Sequence, residues 1–171
     1  MQKVAPHELL HEIEHFYYRE ARLFGDKHYR EWLESMVDKD IRYWLPIFEE
    51  RLRADRKPAP QFPPFVYDDN YTDLDERIKR LETNLVWMED PPTRIRHLVT
   101  NIEVYCTPDA DEFESYSNFL VCRNRREREE TILVGGREDL LVRHSSDLRL
   151  LRRKIIISQR VVMDTNLYFF M

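Results

Sequence analysis

The sequence predicts an α+β protein in which a helical first half precedes a sheet-forming second half. Across residues 87–105 the spacing of the apolar residues changes from about 3.6, typical of a helix, to about 2, typical of a strand. Pro91 and Pro92 mark this change, because proline lacks the amide N–H of a helix and clashes with the preceding turn. Beyond them, one face of a strand is predicted to carry Leu98, Thr100, Ile102 and Val104.

Three helices are predicted in the first half. Pro6 suits a first helical turn, and apolar residues three and four positions apart extend this helix to about Phe24. Asp26 is expected to cap a second helix, and Thr72 or Asp73 a third helix that ends at the proline pair. The apolar stripe of the second helix is Tyr29, Trp32, Leu33, Met36 and Val37.

The predicted strands begin with residues 41–48, IRYWLPIF, where Pro46 favours an edge or an end of a sheet. Residues 53–70 contain four prolines and no period, which indicates an extended excursion over the surface or onto a neighbour. Long strands follow, with apolar residues on both faces, as expected for a curved sheet covered by helices inside and by other protein outside. Their predicted turns are residues 108–111, 124–128, 135–136 and 145–147.

Composition limits the class of protein. A chain of 171 residues fits a single domain over residues 1–171, with a helical half of about 1–92 and a sheet half of about 93–171. Charged residues make up 35% of it, the two signs are interspersed and the net charge is −5, which argues against nucleic-acid binding. Cys106 and Cys122 form no metal-binding pair, and no apolar run could span a bilayer. We therefore expect a cytoplasmic protein without membrane contact.

The zinc-protease pattern HExxH occurs twice in overlap, as HELLH and HEIEH. His7, His11 and His15 share one side of the predicted helix and could in principle hold a metal. The apolar stripe of the helix lies roughly 130° away from them, so the histidines should face water, whereas a catalytic zinc site must be buried. The pattern therefore predicts a solvated polar face and no metal site.

A second candidate site combines Tyr17, Asp40 and His97, which could converge beneath a curved sheet and act as acid and base. A hydrogen-bonded polar network in the core is the favoured alternative. Arg94 and Arg96 flank His97 and are expected to pair with carboxylates of this chain or of another.

Six phrases are distributed over nearly the whole chain: FYYREARLF, DIRYWLPI, VYDDN, RIKRLETNLVWMEDPPTRIRHLVTNIEV, FLVCRNRREREETILVGGREDLL and LRLLRRKIIISQRVVMDTNLYFF. With these phrases the chain resembles the small (beta) subunit of the Rieske-type aromatic-ring-hydroxylating dioxygenases, and most closely the biphenyl and toluene branch. The number and order of the phrases make the resemblance far more specific than either HExxH pattern.

The resemblance implies a cone-like α+β fold of the nuclear-transport-factor-2 and scytalone-dehydratase type, with a long curved mixed sheet on three helices. It implies an assembly of three large (alpha) and three small subunits that dihydroxylates arenes of the biphenyl, benzene or toluene type. The Rieske [2Fe-2S] cluster and mononuclear Fe(II) are implied to lie in the large subunit, with electrons from NADH. The small subunit is implied to be structural, with no catalytic, cofactor or metal residues.

Contacts with the large subunit or with other copies of this chain are expected in residues 51–65, 95–105 and 148–163. The interface residues predicted individually are Arg94, Arg96, Phe62, Phe65, Tyr168, Phe169 and Phe170. Two other functions stay open at this point. One is a free-standing dehydratase or isomerase of the same fold that uses Asp40 and His97, and the other is a module that binds a ligand without catalysis.

Overall fold

The structure, a computed structural model, describes residues 3–47, 64–83, 93–125, 129–159 and 170–171. Within these residues the helices are α1 (His7–Gly25), α2 (Tyr29–Met36) and α3 (Tyr71–Glu82). The strands of the same residues are β1 (Lys3–Val4), β2 (Val37–Pro46), β3 (Phe65–Asp69), β4 (Arg94–Cys106), β5 (Glu112–Arg125), β6 (Glu129–His144) and β7 (Asp147–Ile157).

The described strands form one seven-stranded sheet in the order β1-β4-β5-β6-β7-β2-β3. Neighbouring strands are antiparallel except β2 and β7, so the sheet is mixed. The described helices all come from the first half of the chain, and so do the strands β1, β2 and β3. Of these three strands, β2 overlaps the strand predicted at residues 41–48. Part of the predicted proline-rich excursion forms β3, while residues 48–63 lie outside the described part of the chain.

The helices cover one face of the sheet, which we call the inner face. α1 packs on β4, and its buried residues recur at helical spacing, as predicted: Ile13, Phe16, Tyr17, Glu20, Leu23 and Phe24. Asp26 follows the end of α1 and does not cap α2, which begins after His28. The third helix is capped by Asn70, whose side chain accepts from two backbone amides while Asp73 completes a capping box. None of the described helices is long and apolar enough to cross a membrane.

Gly135 and Gly136 do not form the predicted turn, because β6 runs through both. A Cβ built on Gly135 would lie 2.3 Å from the backbone oxygen of Ile156 and 2.7 Å from Cζ of Phe119, whereas the nearest atoms to one on Gly136 are 3.7 Å away. Glycine at position 135 therefore makes room for the Phe119 ring inside a strand. Close approach of other atoms is a common reason for glycine in a strand, as turns are elsewhere. The predicted turn at residues 145–147 is present, and Ser145 there has a φ of 56°.

A bulge in β4 changes which residues face inward. The pairing with β5 shifts between Thr100 and Glu103, so β4 carries one extra residue, and Asn101 there has a φ of 53°. Asparagine tolerates this left-handed region better than most residues. Because an extra residue reverses the alternation of side chains, Leu98 is 56% exposed while Val104 is buried. The prediction that both lie on one face is wrong for this reason.

A second bulge lies in β7. Leu140 is opposite Arg152, but the next residue, Leu141, is opposite Leu150, so β7 carries one residue more than β6 at this point. Simple alternation from the buried Leu150 would turn Arg152 inward. The bulge turns Arg153 inward instead, and this reversal places a guanidinium inside the cone formed by the sheet and helices.

Candidate functional site

The register of the sheet brings four polar side chains into one row on the inner face. Tyr43 of β2 is opposite Arg153 of β7, Arg153 is opposite Asp139 of β6, and Asp139 is opposite Ser115 of β5. All four are buried. Helix α1 lies over this row and contributes Glu20, which is also buried.

Arg153 is the centre of a buried ion-pair network. Its Nε donates to Oδ1 of Asp139 at 3.0 Å, and its Nη2 donates to Oδ2 at 2.8 Å. Its Nη1 and Nη2 donate to the two carboxylate oxygens of Glu20 at 2.8 and 3.0 Å. Glu20 also accepts from Nη1 of Arg137 at 3.1 Å and from Nε1 of Trp32 at 2.9 Å. We call Glu20, Arg137, Asp139 and Arg153 the inner network.

The inner network balances two carboxylates against two guanidiniums, so its formal net charge is zero. Burial acts to raise the pKa of Glu20, but Arg153 and Arg137 outweigh burial and lower it. Burial likewise acts against the charge of Arg153, but Asp139 and Glu20 raise its pKa. Burial and the charge of Arg153 lower the pKa of Arg137. Mutual pairing therefore keeps the carboxylate of Glu20 and the guanidinium of Arg153 ionised without solvent.

Tyr17 and His97 border the inner network. The Tyr17 hydroxyl donates to Oδ2 of Asp139 at 2.9 Å, and burial followed by the negative charge of Asp139 raises the pKa of Tyr17 well above its usual value. Burial and the positive charge of Arg137 lower the pKa of His97 to about 4. Near neutral pH the phenol is therefore protonated and the imidazole is neutral.

Aromatic rings form a box beside the inner network, and Phe170 fills it. The ring centroid of Phe170 lies 5.0 Å from that of Trp32, 5.2 Å from Tyr29 and 6.0 Å from Phe24. The ring centroid of Tyr43 lies 6.4 Å from that of Phe170 and completes the set of surrounding rings. Both Phe170 and the following Met171 are fully buried. We call Phe24, Tyr29, Trp32 and Tyr43 the aromatic box.

The structure does not bring the three residues of the predicted acid–base site together. Tyr17 is buried on α1 and His97 is partly buried on β4, but Asp40 is exposed on β2. The backbone N–H of Asp40 donates to Asp38 within the same strand. The acid–base grouping is therefore wrong for Asp40. Tyr17 instead belongs to a hydrogen-bonded core network, which was the favoured alternative.

The overlapping HExxH histidines lie on the exposed side of α1, as predicted. His7, His11 and His15 are all exposed, and the rings of His11 and His15 meet edge to face at 4.5 Å. Among the residues that the structure describes, no three histidine, cysteine or acidic side chains form a group that could hold a metal ion.

The residues predicted at an interface fall into three groups. Arg94, Arg96 and Phe65 are exposed, as a contact with another chain would require. Phe170 is 0% exposed and packs inside its own chain, so this residue is buried in the fold and does not offer the contact surface predicted for it. The three others, Phe62, Tyr168 and Phe169, lie outside the described residues.

Sequence reasoning did not identify the inner network. For Glu20 a signal was present, because it follows Phe16 by four positions and precedes Leu23 and Phe24 by three and four, within the apolar stripe of α1. A charged residue at such a position indicates a buried partner. No comparable signal exists for Arg153, since its inward orientation depends on the bulge in β7.

Comparison with solved structures places this architecture in one class. The chain superimposes with a TM-score of 0.91 on naphthalene 1,2-dioxygenase solved with indole in its active site, at 24% identity over 98% of this chain and 88% of that one. The beta subunit of benzoate 1,2-dioxygenase from Burkholderia mallei gives 0.74 at 20% identity, over 99% and 100% of the two chains. A scytalone dehydratase homologue from Novosphingobium aromaticivorans gives 0.63 at 15%, over 90% and 87%. These matches confirm the predicted cone-like α+β fold.

The sequence comparisons define the family. A family model described as the ring hydroxylating beta subunit matches residues 19–164. The beta subunit of benzene 1,2-dioxygenase from Pseudomonas putida is 36% identical over 173 aligned positions, which cover 98% of this chain and 90% of the relative. The chain therefore belongs to the ring-hydroxylating beta-subunit family and is a component of an aromatic-ring dioxygenase, as the resemblance implied.

Proposed function

We propose that this chain is the structural subunit of the terminal oxygenase and supplies shape and contact area to a large (alpha) subunit. The proposed assembly contains three copies of each and acts in the cytoplasm. It dihydroxylates an arene of the benzene, toluene or biphenyl type, with electrons from NADH. The Rieske cluster and the mononuclear iron belong to the large subunit in this proposal, which rests on the family and on its 36% identical relative.

The structural role is supported by one observation, which is that the charged groups of the inner network form hydrogen bonds with one another. The carboxylate oxygens of Glu20 and Asp139 already accept hydrogen bonds from Arg153, and those of Glu20 also accept from Arg137 and Trp32. A general acid or base needs a free position from which to reach a substrate atom. A network whose members bind each other instead fixes the packing of helix α1 against the sheet.

The outer face of the sheet supports the proposed contact with other chains. Leu98 of β4 is opposite Leu120 of β5, which is opposite Val134 of β6, so three apolar side chains form a row across three strands. Leu98 is exposed by more than half, and Val134 is also exposed. We call these three residues the outer apolar row. Contiguous exposed apolar surface of this kind is typical of a protein interface.

The experiment is co-expression of this chain with its large subunit, followed by purification through a tag on the large subunit. With NADH and the separate electron carriers supplied, we expect arene dihydroxylation from the purified assembly and none from this chain alone. Leu98→Asp should reduce co-purification, because it places a charge in the outer apolar row. Tyr18→Asp is the matched control, since Tyr18 is a large exposed side chain on α1, outside the outer apolar row and outside the ranges expected to form contacts. Dioxygenase turnover by this chain without its partner would overturn the proposal.

The dehydratase alternative can be tested in the same assembly. The exposed position of Asp40 argues against it, so Asp40→Asn should leave turnover unchanged. Loss of turnover in Asp40→Asn with a fully assembled complex would instead support chemistry in this chain.

A further inference from the structure

Phe170 and Met171 occupy the interior of the cone in the manner of a bound ligand. The Phe170 ring lies in the aromatic box, and the guanidinium carbon of Arg77 lies 4.6 Å from its centroid on another side. Both residues are fully buried. The ring is thus enclosed by aromatic faces and a cation, an arrangement that also suits an independent aromatic ligand.

The polar contacts of this pair are made through its backbone. Nε2 of His97 lies 2.9 Å from the backbone oxygen of Phe170. The Tyr43 hydroxyl accepts from the N–H of Met171 at 2.7 Å and donates to its backbone oxygen at 2.5 Å. Nη1 of Arg153 donates to the same oxygen at 3.1 Å. These contacts recognise a carbonyl or carboxylate group near a ring, whatever chain carries it.

Two of the groups around this pair are held by partners other than Phe170 and Met171. Arg153 is fixed by two carboxylates of the inner network, and Trp32 is fixed by its bond to Glu20. Nδ1 of His97 is buried and has no hydrogen-bond partner among the described residues. Arg153 and Trp32 are therefore preorganised, and one buried polar atom beside them is left for a ligand to satisfy.

From these contacts we propose that the interior of the cone is a binding site for an aromatic ring bearing a nearby carbonyl or carboxylate oxygen, and that Phe170 and Met171 are its resident occupant. When these two residues leave, the site takes a ligand of the same chemistry in their place. This inference does not depend on the structural role proposed above, because binding of a ligand inside the cone requires no contact with the large subunit.

The test uses a variant that stops after residue 169, in the assembly in which the chain purifies, and the blocked dipeptide N-acetyl-Phe-Met as the probe. Titration calorimetry and the rise in melting temperature measure binding. We expect one saturable site per chain and a stabilising effect of the dipeptide. N-acetyl-Ala-Met should bind at least about tenfold more weakly, because it lacks the ring that the aromatic box buries.

Tyr43→Phe in the same truncated variant should weaken binding of N-acetyl-Phe-Met about tenfold, because the phenol makes two of the backbone contacts. A folded truncated variant that binds neither dipeptide, or that binds both equally, would overturn the proposal. So would a Tyr43→Phe variant that binds as tightly as its parent.

If the truncated variant does not fold, Phe170→Ala in the full chain provides a second test, with toluene as the probe. Toluene should raise the melting temperature of this variant saturably, because the vacated ring position is enclosed and apolar. Phe113→Ala removes a buried ring outside the aromatic box and is the matched control. A Phe170→Ala variant that toluene stabilises no more than Phe113→Ala contradicts the proposal.

Discussion

Two ion pairs on the same pair of strands, one on each face of the sheet, show how much burial changes an interaction. Asp139 is opposite Arg153 on the inner face, and their neighbours Glu138 and Lys154 are opposite each other on the outer face. The shortest contacts are similar, at 2.8 and 2.9 Å. The inner side chains are 0% exposed, whereas Lys154 and Glu138 are 28% and 43% exposed.

The difference lies in what happens when one partner is removed. Water can solvate the remaining charge on the outer face, so an exposed pair contributes little to stability. On the inner face the remaining charge has no solvent and must be accommodated by the rest of the inner network. The inner pair therefore ties the sheet to α1 through Glu20 and Arg153, while the outer pair is replaceable.

Removal of the inner carboxylate should have the largest effect. Asp139→Ala leaves Arg153 with one carboxylate partner and Tyr17 without its acceptor, and we expect a loss of about 3–5 kcal/mol in the free energy of unfolding. Urea denaturation followed by tryptophan fluorescence measures this loss. A decrease below about 1 kcal/mol would show that the two faces do not differ as the burial indicates.

The pH dependence of stability tests the inner face without altering the network itself. Because the pKa of His97 is lowered to about 4, the unfolded chain binds a proton at this site at higher pH than the folded chain. Stability from this residue is therefore complete above pH 6.5 and falls as the pH decreases towards 4. We expect His97 to account for a decrease of about 2 kcal/mol in the free energy of unfolding when the pH falls from about 7.5 to 5.

His97→Gln should remove this contribution to the pH dependence of the free energy of unfolding. Urea denaturation at several pH values measures that dependence. The interval above about pH 5 avoids the range in which Glu20 takes up its proton, because the pKa of Glu20 is lowered from 4.5. An unchanged slope in His97→Gln would mean that protonation of His97 is not coupled to folding.

Gly135 and Gly136 are adjacent in β6 and differ in how closely other atoms pack against them, so they compare the two faces of the sheet without a change in charge. Gly135→Ala should lower the free energy of unfolding by about 1–3 kcal/mol, because its methyl group would meet Phe119 and the backbone of Ile156. Gly136→Ala should change it by no more than about 0.5 kcal/mol, since its nearest neighbours are at ordinary contact distance. Thermal unfolding of the two variants gives the comparison, and equal effects would contradict the close approach of Phe119 to Gly135.

The smallest effect is expected on the outer face. Glu138→Ala should reduce the free energy of unfolding by less than about 1 kcal/mol, and the difference from the parent should shrink further at high salt. Denaturation in low and high sodium chloride measures both quantities. A large loss that is insensitive to salt would indicate that this pair is shielded, for example by a neighbouring chain.

Much of the helical layer was predictable, because helix periodicity is a local property. The apolar stripes placed α1 and α2 correctly except for Val37, which begins β2. The same spacing predicted that His7, His11 and His15 would be exposed. The alternation in β5 was also predictable, with Phe119 and Val121 inward and Leu120 outward. The predicted caps were wrong, because α2 begins after His28 and not after Asp26, and α3 is capped by Asn70 and not by Thr72 or Asp73.

The candidate site was predictable only in part. Tyr17 and His97 were recognised as candidate acid–base residues. The choice of Asp40 as their partner relied on residue type alone, because the sequence does not show on which face of β2 its side chain lies. The stripe position of Glu20 was a usable signal, whereas the orientation of Arg153 was not, since it depends on an extra residue in β7 that no local preference specifies. The same limitation explains why Leu98 and Val104 were predicted to share one face.

The sequence by itself determined the family, the helix positions and the existence of a sheet, because each follows from local spacing or from residues shared with relatives. Only the tertiary structure decided which charges are buried and what fills the cone. Strand register, two bulges and the return of Phe170 into the interior are long-range features, and each depends on pairing between residues far apart in the chain. Burial then gives the same kind of ion pair a structural role on one face and a minor one on the other.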